Sequence, residues 1–456
     1  MKRYVLFSII LITILNSVLS YNIDLFTFFE MRKDRVVGDN NFLWGAGVDA
    51  TWKDLTFYAE ILETNFQIGD IKPDWPQDVK IVEDTYYPFG PGVLTYEKPA
   101  FTLSVGLQNL NEGLGDEYPL FIAANNTPYP SIKWRFSPFD WLSFQQDLLF
   151  LRTAVDNPIN KEKVQTSKSV YYRKTTFNPF ESLKIGFQES VLFMGRDFDL
   201  YYLLSPFNYI MSQDIRNTGQ APWDSPVNDN CMVGGFIEYN PSQWRVFGEI
   251  LVDDWSWSED EAGVRKIAWN SGLDLTFDND NFQFELAGAS RYTFHKTGRY
   301  PYQYVRYETI EELPLPYNMI GYKYGENNAA FSARYEHHFE EADASLGLHY
   351  EFLTFGEQDP FSSLPPDWKD KGHFIWLDDP VLQREDTFEV SGNWMVSPGI
   401  RLEGTLGTTF VKNEDLKKGQ SNTYPTFCIS AAYHFTINEK VVDKIKAGKI
   451  FEIDYF

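Results

Sequence analysis

The chain has 456 residues, with 64 acidic side chains against 40 Lys and Arg, for a formal charge of −24 at pH 7. That balance argues against nucleic acid as a partner, because phosphates require Lys and Arg, and in a water-filled channel it would favour cations. Cys231 and Cys428 are too few for a disulfide framework, whether they pair cannot be read from the sequence, and no stretch reads as a cofactor motif, so none is expected.

The N-terminus looks like an export signal. Lys2 and Arg3 precede an apolar run from Val5 to Leu15, and Val18 and Ser20 are small enough for a cleavage site. The run is short for a helix that must cross about 20 residues of bilayer. No Cys stands near the cleavage site, which argues against a lipoprotein. Residues 1–20 are therefore read as a signal peptide; losing its two bases leaves a charge of −26.

Beyond it, apolar and polar residues alternate. Ala329, Phe331, Ala333, Tyr335, His337 and Phe339 interleave with Ala330, Ser332, Arg334, Glu336 and His338. A strand sends successive side chains to opposite faces, so one face here is apolar and the other polar. Strands of about 10 alternating residues ended by turns are the mark of a transmembrane β-barrel. A composition of 17% aromatics with a mean hydropathy of −0.35 follows from that averaging. In chain order the pattern predicts strands at 23–32, 41–52, 54–64, 92–98, 101–108, 129–137, 140–152, 167–177 and 182–194. It continues at 230–240, 243–254, 265–277, 281–293, 327–339, 344–355, 385–396, 400–411 and 424–435.

Short turns join alternate pairs. Ser137-Pro138-Phe139-Asp140, Asn178-Pro179-Phe180-Glu181, Asn240-Pro241-Ser242-Gln243 and Ser397-Pro398-Gly399 place Pro second, where its fixed φ suits a type I turn. About eight such turns, with both barrel ends in the periplasm, give about 18 strands. The long connections 65–91, 195–229, 294–326 and 356–384 are then extracellular. The barrel is expected to span 21–435. Phe427 to Phe435 resembles a terminal strand read by barrel-assembly machinery, and 436–456 is read as a periplasmic tail or one more strand.

Candidate chemistry is sparse. On the polar face Arg334, Glu336, His349 and Glu351 fall close together, which reads as a lumen ladder of cross-strand pairs. His338 and His434 share that face. No converging set of ligands points to a metal. Asp253 and Asp254, beside Trp255 and Trp257, are adjacent on a strand and point oppositely, a poor arrangement for two carboxylates acting on one bond. Gly113-Leu114-Gly115-Asp116 lacks the Lys of a phosphate loop and reads as a flexible loop. No Gly-x-Ser-x-Gly elbow occurs, and an enzyme is not expected. Trp223, Tyr302, Tyr304, Tyr307, Tyr317, Trp368 and Trp376 lie in the long connections, where aromatic rings suit the C–H faces of sugars or pack the loops themselves.

Two stretches carry a family resemblance. Val105-Gly106-Leu107-Gln108-Asn109-Leu110-Asn111-Glu112-Gly113-Leu114-Gly115 leads into Pro128-Tyr129-Pro130. Later, Gly186-Phe187-Gln188-Glu189-Ser190-Val191 leads to Ser205-Pro206-Phe207-Asn208-Tyr209, then Asn228-Asp229-Asn230, then Phe247-Gly248-Glu249-Ile250-Leu251-Val252-Asp253-Asp254. This order resembles the Wzi-type capsule-assembly family over roughly 101–257, although Ser205-Pro206 replaces the expected Asn-Pro. The resemblance implies an outer-membrane barrel in a diderm bacterium that holds surface polysaccharide without catalysis. It points to Glu189, Asp229, Glu249, Asp253 and Asp254 as polysaccharide contacts; for Glu189 a lumen-plugging or ladder role is the structural alternative. The expected partners are outer-membrane lipid, surface polysaccharide and the barrel-assembly machinery. A general, cation-preferring porin is the competing expectation.

Overall fold

The structure is a computed structural model and describes residues 22–34, 38–64, 89–123, 128–156, 163–216, 229–254, 265–294, 304–306, 315–358 and 374–437. The expected signal peptide and most of the expected tail lie outside them. Eighteen strands follow one another: β1 (Asn22–Asp34), β2 (Gly38–Trp52), β3 (Leu55–Thr64), β4 (Phe89–Lys98), β5 (Phe101–Gln108), β6 (Tyr129–Phe139), β7 (Leu142–Asp156), β8 (Lys163–Phe180) and β9 (Leu183–Met194). The second half comprises β10 (Asn230–Tyr239), β11 (Trp244–Asp254), β12 (Lys266–Phe277), β13 (Asp280–Ala289), β14 (Asn328–Phe339), β15 (Ala344–Phe355), β16 (Gln383–Ser397), β17 (Ile400–Lys412) and β18 (Ser421–Ile437). Each strand pairs antiparallel with its neighbours in sequence, and β1 closes the wall on β18 from Ile23↔Ile437 to Lys33↔Phe427. Closure leaves no edge, which is what lipid demands of a sheet.

The alternation sorts the two faces. On β14, Arg334 reaches inward to Glu117, a residue of the loop after β5, so the even positions face the lumen. The odd positions face out. The same parity puts Phe388, Val390 and Trp394 of β16, and Phe136, Ile185 and Ile250 elsewhere on the wall, on the outside, all of them exposed. Trp52, Trp141, Trp244 and Trp394 stand near the short turns and remain accessible, as an aromatic girdle at one membrane edge requires.

Two of the expected turns are displaced. β6 and β8 run on through Pro138 and Pro179, and the tight turns fall at Asp140–Trp141 and Glu181–Ser182. The register slips between Phe136 and Phe139, and again between Phe177 and Phe180. Each proline therefore occupies a bulge before the turn, where its missing N–H costs no ladder bond. Pro241 and Pro398 do sit in their turns. β13 ends at Ala289 rather than 293, because Ser290–Phe294 turn away, with φ values of 69° at Tyr292 and 71° at Phe294. Neither cysteine is in a disulfide. Cys428 faces the lumen, whereas Cys231 faces the outside of the wall, so the sheet separates them.

Candidate functional site

The connection between β5 and β6 turns into the barrel. Leu110, Leu114, Tyr118, Leu120, Phe121 and Ile122 are too apolar for an exposed loop, and all are buried. The segment doubles back through a bridge between Glu112 and Ile122. It touches side chains from β6 to β15, which is possible only from within the lumen. The reading of Gly113–Asp116 as a flexible loop is thereby corrected. At Gly115 an added Cβ would lie 1.9 Å from Asn270 Nδ2 and 2.6 Å from Glu285 Oε2, so a larger residue would displace the two side chains that hold the plug here.

Wall carboxylates hold this plug by its backbone. Glu249 accepts the Leu114 N–H at 2.8 Å and the Gln188 amide at 2.6 Å. Glu285 accepts the N–H groups of Asp116 and Glu117 at 2.9 and 3.0 Å, with Tyr118 at 3.3 Å. Arg245 donates to the Leu114 carbonyl, and Asn270 to that of Tyr118. Glu112 forms an ion pair with Lys133. A loop sealed from water must find a partner for each backbone group, and here the polar inner wall supplies them.

A second segment, between β13 and β14, completes the plug. Val305 bridges Met319, the Ala123 N–H donates to Ile320, and Tyr322 donates to Leu120. Tyr304 is fully buried within it, so of the two readings open for the loop aromatics this one packs the loop itself. Tyr118, Tyr322 and Tyr324 form a triangle with ring centroids 6.0–6.1 Å apart. The Lys323 ammonium lies over two of these rings and pairs with Glu117 and, at 3.1 Å, with Glu351. Tyr118 and Tyr324 donate to the same Glu351 oxygen at 2.9 and 2.7 Å. Burial pushes the Glu117 carboxyl up, but the Lys323 ammonium and Arg334 guanidinium outweigh it and hold the group at about 2.

Of the ladder residues, Arg334 pairs with Glu117, and Glu351 receives the two tyrosines. His349 bridges Ser332 and Glu389, each at 3.1 Å. Glu336 accepts from Ser345 at 2.6 Å. Arg334, Glu336, His349 and Glu389, with Asp274 and Gln283, line a cavity of about 560 Å³ between the plug and the short-turn end.

Glu189 and Asp229 are not in the lumen. On β9, Gln188 reaches inward to Glu249, so Glu189 must point out. Its partner Arg173 points out from β8 and contacts it through Nε at 2.8 Å. Over them lies the start of the connection after β9: α1 (Leu200–Leu204) and α2 (Tyr209–Arg216). Arg173 donates to the Ser205 carbonyl at 2.8 Å and the Phe207 carbonyl at 2.6 Å, and Glu189 accepts the Tyr209 N–H at 2.7 Å. Asp229 accepts from Arg196 and from the Tyr202 hydroxyl at 2.5 and 2.8 Å. The lumen-plugging alternative for Glu189 is thus corrected; it is a ladder residue on the outer face. Asp253 is buried near the end of β11, and Asp254 pairs in register with Lys266 after a bulge. Trp223, Trp255, Trp257, Tyr302, Tyr307 and Trp368 lie outside the described residues. Trp376 meets Trp269 edge-on at 5.0 Å.

Sequence reasoning missed Lys323, Glu117 and Glu285 as plug residues, and Arg173 as the partner of Glu189. Two signals were available. Six apolar residues in one supposedly exposed loop need cover, and Arg173 and Glu189 put charge at positions whose parity faces lipid.

A closed eighteen-stranded wall with an apolar belt outside and its own loops packed within defines an outer-membrane β-barrel with a plugged lumen. A family model described as capsule assembly protein Wzi matches residues 79–425, and the chain belongs to that family. It is an outer-membrane protein of a diderm bacterium. A solved structure of Wzi from Escherichia coli, described as an outer-membrane protein involved in group 1 capsule assembly and a carbohydrate-binding β-barrel, superposes with a TM-score of 0.54 at 12% identity over 92% of this chain and 86% of that one. OccD3 (OpdP) of Pseudomonas aeruginosa superposes with a TM-score of 0.50 at 10% identity over 92% of both chains. At such identities the likeness is one of fold. No curated protein matches the chain.

Proposed function

We propose that the protein holds capsular-type polysaccharide at the cell surface by binding it, without catalysis. The observation that carries this reading is the filled lumen. Carboxylates from β11, β13 and β15 bind the plug through its backbone and tyrosines, which leaves a rigid platform under the long connections rather than a conduit. Family membership supports the same reading. A general porin is disfavoured because its lumen must conduct.

Glu249 has a structural task in the plug, and Glu189 and Asp229 have theirs on the outer wall. Asp253, buried on the same face as Glu249, is likewise taken up by the interior, and the sugar contacts are therefore assigned to Trp223, Trp255, Trp257 and Asp254, in or beside the long connections. Aromatic faces supply apolar contact to sugar rings while acidic groups accept from hydroxyls. With a charge this negative, a neutral glycan or a cation-bridged one suits the surface. The test is binding of the host's own surface glycan to purified protein, paired with glycan retention in a deletion strain. Binding that falls at least tenfold in a Trp255→Ala/Trp257→Ala variant is expected. No binding, with normal retention in the deletion strain, would reject the proposal.

A further inference from the structure

The cover over Arg173 and Glu189 is built inside out. On a helix facing water, apolar residues turn toward the protein and polar ones away. In α2 the wall side carries Tyr209, Ser212 and Gln213, all buried, while Ile210 and Met211 are exposed. In α1 Tyr202 is buried with its hydroxyl on Asp229, whereas Leu200 and Leu204 are 60% and 73% exposed. Phe198 and Phe207 are exposed beside them, and an open groove of about 660 Å³ runs between these apolar side chains.

Height on the wall says what lies opposite. From Leu183, at the short-turn end of β9, to Glu189 is six residues, or about 20 Å along the strand and about 15 Å along the membrane normal at the usual tilt. The apolar belt of such barrels is about 25 Å tall, so Glu189 and the part of the cover bonded to it fall within the belt, and the end of the cover at Asp197, which accepts from Ser169, reaches its outer edge. The surrounding outer wall agrees: Ile185, Phe187, Ile237 and Ile250 are all exposed and apolar.

We infer that residues 197–215 form a clasp that lies in the outer leaflet against the barrel wall, its exposed apolar face in contact with lipid acyl chains. The clasp converts a charged patch of wall into a lipid-compatible one. Arg173, Glu189, Gln146 and Asp229 each make their bonds to it or beneath it, and what it presents outward is mainly leucine, phenylalanine, isoleucine and methionine, with the exposed Asp197 and Asp214 near its two ends. The inference rests on the barrel's place in the membrane and is independent of the glycan reading.

Nitroxide labelling tests it. In a Cys231→Ala/Cys428→Ser background, single cysteines are placed at Leu204 and Met211 in the clasp, at Ile237 as a belt reference and at Lys418 as an aqueous reference. The protein is reconstituted in phosphatidylcholine vesicles, and collision with oxygen is compared with collision with a water-soluble nickel chelate. The clasp sites are expected to favour oxygen to within twofold of Ile237. Preference for the chelate at the level of Lys418, or weak collision with both reagents, would overturn the inference, as would spin–spin broadening that shows a second copy seated on the clasp. Each variant is first checked for the folded, heat-modifiable gel band; should either clasp site not fold, Leu200→Cys supplies the same readout.

Discussion

Arg173 and Glu189 show what one charge pair demands of its surroundings at the membrane face. Removing one partner from a buried pair leaves the other uncompensated, at a cost of about 3–5 kcal/mol, whereas replacing both by apolar groups is often near neutral. Arg173→Ala should therefore lower the unfolding free energy, read from urea titration in detergent, by that amount, and Arg173→Met/Glu189→Leu should recover most of it. Equal losses in the two variants would show that the pair does not act as a unit. Glu117 permits a second test. Its carboxyl is held at about 2, below the ordinary 4.5, so the folded state binds this proton more weakly than the unfolded chain. The contribution, on the order of 3 kcal/mol, is complete above pH 4.5 and fades as pH falls toward 2. Stability of the parent minus that of Glu117→Gln should stay flat from pH 7 to 5 and shrink below pH 4. A difference that instead shrinks as pH rises would contradict the assigned ion pairs with Lys323 and Arg334.

Among the elements, the strands were legible and the inner loops were not. Alternation of period two located all eighteen strands, because one residue of slippage would turn every lipid-facing side chain inward. Pro138 and Pro179 misplaced two turns by about two residues, since a proline suits a bulge as well as a turn corner and the sequence does not choose between them. The plug escaped notice for a different reason. Apart from Lys133, which pairs with Glu112, its wall partners are 131 to 233 positions away along the chain, as in Leu114 with Arg245 and Glu249 and Tyr118 with Glu351, and no local pattern encodes that distance. Glu285 is the element's chief backbone anchor. Glu285→Ala strips the acceptor from three N–H groups, each costing about 1–3 kcal/mol if left unsatisfied, and is expected to raise the frequency of brief conductance openings at least tenfold in planar bilayers. Gly115→Ala, whose Cβ would meet Asn270, should do the same, while Gly419→Ala, with open space around it but a φ of 85°, should leave conductance unchanged.

For the whole molecule, the wall and the lumen make separate statements. The wall places the chain in the outer membrane and follows from alternation alone. The lumen sets what the chain does there, and it is filled by segments whose placement only the folded structure reveals. Net charge links the two. If residues 110–122 were deleted, the strongly acidic protein should become a cation-selective pore. The most direct measurement is the single-channel conductance of the intact purified protein in a planar bilayer, recorded beside that deletion. The account predicts a closed barrel for the intact chain and steady cation current for the deleted one. A steady open channel in the intact protein would contradict it.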